Sequence, residues 1–236
     1  MAHKKIKVLE LFAGSRSIGN VADKMGMEVF SVDWEKYDKI DLAIDIGELT
    51  MQDIPWVPDM IWASPDCKTY SISKVSYHRE DSIIPKSDYA IKCDAVNEHF
   101  ISLIKEWEKI NPDLVFFIEN PRGMLRLMPF MQEFRRHSVW YCQYGDNRAK
   151  PTDLWTNSKI WLPKPVCRNY DYDDEGNIIR KHCHHDSAQR STATGGTQGK
   201  VISYEKSKIP EALCIAVLES VKDKKIPPNS QLEMYF

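Results

Sequence analysis

Long apolar runs are missing from this 236-residue chain. No stretch approaches the roughly 20 apolar residues that a membrane-spanning helix needs, so no membrane partner is expected. Met1-Ala2-His3-Lys4-Lys5 runs straight into an alternating segment with no signal-peptide core, which predicts a cytoplasmic location. The six cysteines, at 67, 93, 142, 167, 183 and 214, show no framework spacing. That argues against disulfides and for reduced thiols. An excess of one charge is lacking as well: 32 Lys and Arg face 34 Asp and Glu, a net charge of −2. Any basic surface for a polyanion therefore has to be local. There are no internal repeats, and a chain of this length can bury one good core with room for a small appended module.

What is present is an alternation of strands and helices. Ile6 to Phe12 reads as a strand, Ala13-Gly14-Ser15-Arg16-Ser17-Ile18-Gly19 as a glycine-bearing turn, and Asn20 to Lys24 as a helix. Glu28 to Asp33 is a second strand ending on an acid, with Trp34 directly after it, and Asp41 to Ile46 a short third. The order strand, glycine turn, helix, strand, acid belongs to a doubly wound α/β sheet with a nucleotide or cofactor site. Tyr89 to Lys109 places apolar residues at helical spacing until Asn111-Pro112 stops it. Met124 to Phe134 is expected to be a helix and Val139 to Tyr144 a strand. From Pro151 the composition changes, and 151–206 is expected to be an irregular or β-rich insertion after a main domain of 1–150. A helix over 207–223, with Pro210 near its first turn, returns to that domain, and an extended tail follows over 224–236.

Two strand ends carry chemistry. Met60-Ile61-Trp62-Ala63 delivers Ser64-Pro65-Asp66-Cys67-Lys68-Thr69-Tyr70-Ser71, and Leu114 to Ile118 delivers Glu119-Asn120-Pro121. A thiol and a carboxylate at the ends of two strands of one sheet can converge on a ligand. A small buried cysteine is the plain alternative, yet Cys67 lies outside the apolar run among Asp66, Lys68 and Ser71. Lys68 favours a thiolate and Asp66 opposes it, so the residues alone leave the thiol's reactivity open. Asp33 and Asp45 read equally as solvated strand-end acids.

The ordered set Glu10-Leu11-Phe12-Ala13-Gly14, Val32-Asp33-Trp34, Asp45-Ile46, Pro65-Asp66-Cys67-Lys68-Thr69-Tyr70-Ser71 and Ile118-Glu119-Asn120-Pro121 resembles the DNA (cytosine-5)-methyltransferase family. The resemblance spans about the first 150 residues, with an echo at Ser207 to Leu213. It implies a Rossmann-like fold that uses S-adenosylmethionine and acts on DNA. Cys67 would be the nucleophile that adds to cytosine, Glu119 the proton donor at its ring nitrogen, Asn120 the brace between the two loops, and Arg148 a contact to the base or a phosphate. Phe12, Ala13, Gly14, Asp33, Trp34, Asp45, Ile46, Ser64, Pro65 and Ile209 would hold the cofactor. A duplex target would have to be flipped out of its stack.

The chain departs from the family pattern in places. Gly14-Ser15-Arg16-Ser17 lacks a second glycine cluster, Asp66 stands where the family has proline, Lys68 replaces glutamine, and Pro121 replaces valine. The stretch over 151–206, in the place of the recognition domain, is short, and its basic residues are interrupted by acids. Lys181-His182-Cys183-His184-His185 with Cys167 holds zinc-capable side chains at no standard zinc spacing, so no metal is expected. Methylation of RNA cytosine, methylation of an exocyclic amine, or an inactive nucleic-acid-binding relative are the rival readings. Gln231 to Phe236 resembles the short peptides that dock on a bacterial sliding clamp, which makes that clamp a candidate partner.

Overall fold

A computed structural model of the protein describes residues 5–167, 170–181, 204 and 207–224. At its centre is a seven-stranded sheet. β1 (Lys7–Leu11) leads through α1 (Ser17–Lys24) to β2 (Glu28–Asp33) and the two-residue β3 (Leu42–Ala43). β4 (Met60–Ala63) is followed by the one-turn α2 (Val75–His78), a small hairpin of β5 (Arg79–Glu80) and β6 (Ile84–Pro85), and the 23-residue α3 (Asp88–Ile110), which returns the chain to β7 (Val115–Pro121). β8 (Arg136–Trp140) and β9 (Pro151–Thr156) complete a sheet ordered β3-β2-β1-β4-β7-β9-β8, in which β9 alone runs against its neighbours. β1 and β4 are adjacent while the chain departs from them in opposite directions. That opens a crevice at their carboxyl ends, the place where doubly wound sheets take ligands.

The sheet is covered on both faces, so its central strands are apolar throughout, and the pleat sorts them by alternation. Leu9, Ile61, Phe116 and Ile118 face the side of Phe100, Ile104 and Trp107 from α3. Val8, Met60, Trp62, Val115 and Phe117 face Ile18, Val21 and Ala22 of α1 and Leu213, Val217 and Leu218 of the last helix, α4 (Glu211–Lys224). α3 begins where Ser87 Oγ accepts a hydrogen bond from the Ala90 N–H at 3.2 Å, a standard helix start.

Several expectations are corrected. Met124 to Phe134 is not an α-helix but two 3₁₀ turns, Met124–Leu127 and Pro129–Met131. Pro129 forces Met128 into an extended conformation (φ −67°, ψ 135°) and breaks the ladder. The strand expected over Val139 to Tyr144 stops at Trp140, and Tyr141–Tyr144 turns in 3₁₀ geometry up to Gly145, whose φ of 86° suits glycine. α1 begins at Ser17 rather than Asn20. The boundary expected after residue 150 falls inside the sheet: Pro151–Thr156 is inserted between β7 and β8, and Trp161 is buried in the core beyond it. The change of character therefore starts past Trp161, and from it the structure describes a hairpin of β10 (Tyr170–Tyr172) and β11 (Ile178–Lys181). The His182 to His185 cluster and the tail from Gln231 to Phe236 lie outside the described residues. No described helix is long and apolar enough to cross a membrane.

Candidate active site

The crevice between β1 and β4 holds a cavity of about 640 Å³, within the usual size of a small-molecule site. Its floor is the turn after β1. Phe12 (φ 55°) packs edge-on against Phe100 of α3 with ring centroids 5.3 Å apart. The Ala13 N–H bonds the Val32 carbonyl at 3.1 Å, and the Gly14 N–H reaches Asp33 Oδ2 at 2.9 Å. Asp33 Oδ1 accepts from the Glu35 N–H at 3.0 Å, so its carboxylate is fixed at the end of β2 and opens on the cavity. Burial raises its pKa against the pull of those two backbone donors. Trp34, 73% exposed, stands over the cavity rim. Asp45 accepts from Gly47 N–H at 3.0 Å and pairs with Lys92 of α3 at 2.6 Å, and the Lys92 ammonium is the main reason its pKa is lowered.

Beneath this turn lies a second cluster, buried at Glu10, Arg16 and Ser31 and open to solvent at Asp23. Glu10, on β1, takes hydrogen bonds from the Ile18 N–H and the Ser31 hydroxyl, each at 3.0 Å. Ser31 is in turn held by Arg16 Nε at 2.9 Å. Arg16 ion-pairs with Asp23 at 2.6 Å, and burial drives the Glu10 carboxyl up to about 7. This cluster takes the place of a second glycine group in fixing the turn. A Cβ on Gly19 would lie 2.6 Å from Glu10 Oε2, so the carboxylate occupies the space a side chain would need.

At the end of β4 the chain turns through Ser64, Pro65 and Asp66 to Cys67. Trp62 Nε1 donates to Ser64 Oγ at 2.7 Å, and Asn120 Nδ2, at the end of β7, donates to the Pro65 carbonyl at 2.9 Å. The Cys67 loop is gripped from below by Arg79. This buried guanidinium donates to the Thr69 carbonyl at 3.1 Å and to Thr69 Oγ1 at 3.2 Å, stacks on Tyr70 at 4.3 Å and pairs with Asp94 at 2.6 Å. Glu119 is buried beside this loop. Tyr141 donates to its Oε1 at 2.8 Å, and Lys150 Nζ lies 3.7 Å from the same oxygen and 4.5 Å above the Tyr141 ring. Burial, reinforced by the charges of Asp66 and Glu119, pushes the Cys67 thiol up to about 11, and Lys150 acts the other way.

Of the residues singled out from sequence, Phe12, Gly14, Asp33, Trp34, Asp45, Ile46, Ser64 and Pro65 line the cavity. Cys67, Glu119 and Asn120 sit together just beyond its Pro65-Asp66 wall. Three residues are placed differently. Ala13 is buried within the turn between Phe12 and Gly14 and does not line the cavity. Arg148 is buried, held by Asp146 at 2.5 Å and donating to the Lys208 carbonyl at 3.1 Å, so it ties the last segment to the sheet and does not line the cavity. Ile209 packs into the α1 side of the core, and the cavity is met by Tyr204 and Ser207 from that segment. Sequence reasoning missed the α3 wall of Tyr89, Lys92, Cys93, Val96 and Asn97. Its three- and four-residue spacing marked a helix face without saying that the end nearest its start lines a cavity. Among the described residues no group of three or more His, Cys, Asp or Glu could hold a metal ion.

No protein-family model matches the chain. A probable DNA (cytosine-5)-methyltransferase from Frog virus 3 is 28% identical over 165 residues, 67% of this chain and 74% of that protein. The solved structure of the Entamoeba histolytica methyltransferase EhMeth superposes with a TM-score of 0.54 at 11% identity, over 94% of this chain and 99% of that one. A Spodoptera frugiperda DNMT2 mutant gives a TM-score of 0.46 at 17% identity, over 69% of this chain and 56% of its own. The superposition on EhMeth makes the fold that of an α/β methyltransferase.

Proposed function

We propose, from its kinship with the DNA (cytosine-5)-methyltransferases, that this chain transfers a methyl group from S-adenosylmethionine to carbon 5 of a cytosine in DNA. The observation that carries the reading is the junction of two strand ends beside the cavity: Asn120 bonds the Pro65 carbonyl and so sets the Cys67 and Glu119 loops in register. The cavity fits the cofactor by its own chemistry. Asp33 offers acceptor lone pairs to ribose hydroxyls, Trp34, Ile46 and Val96 offer apolar faces to adenine, and the turn over Ala13 and Gly14 has no phosphate cradle. When bound, S-adenosylmethionine supplies an electrophilic methyl on a positively charged sulfur.

Cys67 gives its thiol proton to water and adds as the thiolate to carbon 6 of the cytosine, which makes carbon 5 nucleophilic. Glu119 delivers a proton to ring nitrogen 3, so charge does not build on the ring as the thiolate attacks. Tyr141 and Lys150 hold the Glu119 carboxylate in place, and Lys150 supplies the cation that counters two nearby acids at Cys67. After transfer the carbon-5 proton leaves to water, the carbon 6–sulfur bond breaks to release the thiolate, and ring nitrogen 3 returns its proton to Glu119. Attack perpendicular to the ring requires the base to be out of the duplex stack. Residues past Trp161, including the β10–β11 hairpin, are assigned to recognition of the target.

The test is to incubate the protein with genomic DNA, and separately with RNA, using isotope-labelled S-adenosylmethionine, and to identify the modified base by mass spectrometry. 5-Methylcytosine in DNA is expected. Label in RNA alone would change the substrate, and a methylated exocyclic amine would overturn the mechanism.

A further inference from the structure

Asp66, where the family pattern has a neutral proline, lies on the cavity wall directly beside Cys67. Its carboxylate is held by several donors. The Lys68 N–H reaches Oδ1 at 2.6 Å, the Tyr89 hydroxyl donates to Oδ2, and Lys68 Nζ stands 3.6 Å from Oδ2. Tyr89 and Lys68 line the same cavity, so the carboxylate is pinned at its wall rather than swung into solvent. Its side chain keeps 35% exposure, whereas Lys68 is 68% exposed. The negative charge is thus the better sheltered of the two.

Resting on the cofactor reading above, we infer that Asp66 is a specificity-determining residue that favours the charged cofactor over its neutral product. The methyl has to reach a base held at Cys67, so the reactive sulfur has to approach the wall of the cavity that leads to Cys67, and Asp66 forms part of that wall. During transfer the carbon–sulfur bond breaks, the methyl passes to the base, and the sulfur keeps the electron pair and becomes a neutral thioether. A fixed carboxylate attracts the sulfonium and not the thioether, so the same group that draws the cofactor in loosens its hold once the methyl has gone. Lys68 opposes this attraction in part. The influence of Asp66 on its surroundings is already visible at the neighbouring thiol, which its charge pushes upward.

The experiment measures calorimetric affinities for S-adenosylmethionine, S-adenosylhomocysteine and sinefungin, whose ammonium replaces the sulfonium, on the full chain. Asp66→Asn keeps an oxygen for the Lys68 N–H while removing the charge. It should lower the preference for both cationic ligands over S-adenosylhomocysteine by about fivefold or more. Lys68→Met should raise that preference, and it carries the test if Asp66→Asn fails to fold by circular dichroism. Equal losses for all three ligands, or an unchanged ratio in both variants, would overturn the inference. Wild-type protein that binds none of them would overturn the cofactor reading itself.

Discussion

Cys67 is a half-buried thiol between two acids, and its raised pKa of about 11 sets how it behaves before substrate arrives. A free thiol near 8.5 is partly ionised at pH 8, but this one is almost wholly protonated there. Alkylation of Cys67 by iodoacetamide, followed by peptide mass spectrometry, should therefore be slow at pH 8, rise about tenfold per pH unit and level off only near pH 11. Cys67→Ser should abolish methyl transfer and leave cofactor affinity near wild type, since the adenosine contacts are on other strands. Retained turnover would remove Cys67 from the mechanism. Glu119→Gln should slow the reaction by a factor on the order of a hundred or more, read as kcat with KM little changed.

Glu10 makes a different prediction, about stability. Its folded pKa of about 7 lies above the ordinary 4.5, so the folded state holds a proton that the unfolded state has lost over the interval between them. Stability contributed by this group is full below the lower value and is lost as pH rises through the upper one. Glu10→Gln should accordingly gain on the wild type as pH goes from 5 to 8, by up to about 3 kcal/mol, measured by urea denaturation at each pH. A constant difference across that range would mean that Glu10 is ionised in the fold throughout.

At the scale of elements, the legible parts were those fixed by local pattern, and the misread parts were those fixed by packing. β1, β4 and β7 are short apolar runs ended by turn residues, and α3 is an amphipathic helix with an Asn-Pro stop, so both were apparent from sequence, whereas its Ser87 start was not. Met124 to Phe134 has helical composition, yet Pro129 splits it into two 3₁₀ turns, and Pro151 was read as a boundary because the composition changes from there on. Here Pro151 is the first residue of β9, a position that tolerates it. The motif order brought Cys67, Glu119 and the Asp33–Trp34 pair to one crevice. Tyr141, Lys150, Tyr89 and Arg79 carried no comparable signal, because their roles arise from contacts between distant segments. One such contact is testable. A Cβ on Gly123 would come within 2.5 Å of the Tyr70 carbonyl, a backbone atom that cannot turn aside. Gly123→Ala should displace the Cys67 loop and cut methyl transfer at least about tenfold, while costing roughly 1–3 kcal/mol of stability by denaturation. A smaller effect on activity than on stability would show that the loop yields elsewhere.

For the whole molecule, every motif used in the chemistry precedes residue 151, but the fold does not end there. α4 supplies Leu213, Cys214, Val217, Leu218 and Val221 to the layer that covers β1 and β4, and Arg148 fastens the approach to it through the Lys208 carbonyl. A chain cut after residue 206 should fail to fold, seen as loss of cooperative unfolding by circular dichroism, although it retains the Asp33-Trp34, Pro65-Asp66-Cys67 and Glu119-Asn120 motifs. Leu218→Ala in the full chain should cost about 2–5 kcal/mol.

The placement of β9 also dictates an order of assembly. Among the described residues β8 pairs with no strand but β9, and β9 lies between it and β7. Residues 136–156 can therefore fold on themselves as a local antiparallel pair, whereas joining β7 closes a longer loop and comes at greater entropic cost. Tyr141 and Lys150 sit within that pair, and Glu119 sits on the edge it must meet. The carboxyl group of Glu119 thus gains its hydroxyl and ammonium neighbours only when the pair docks on β7, so the surroundings of this side chain depend on a strand pairing made far along the chain from it.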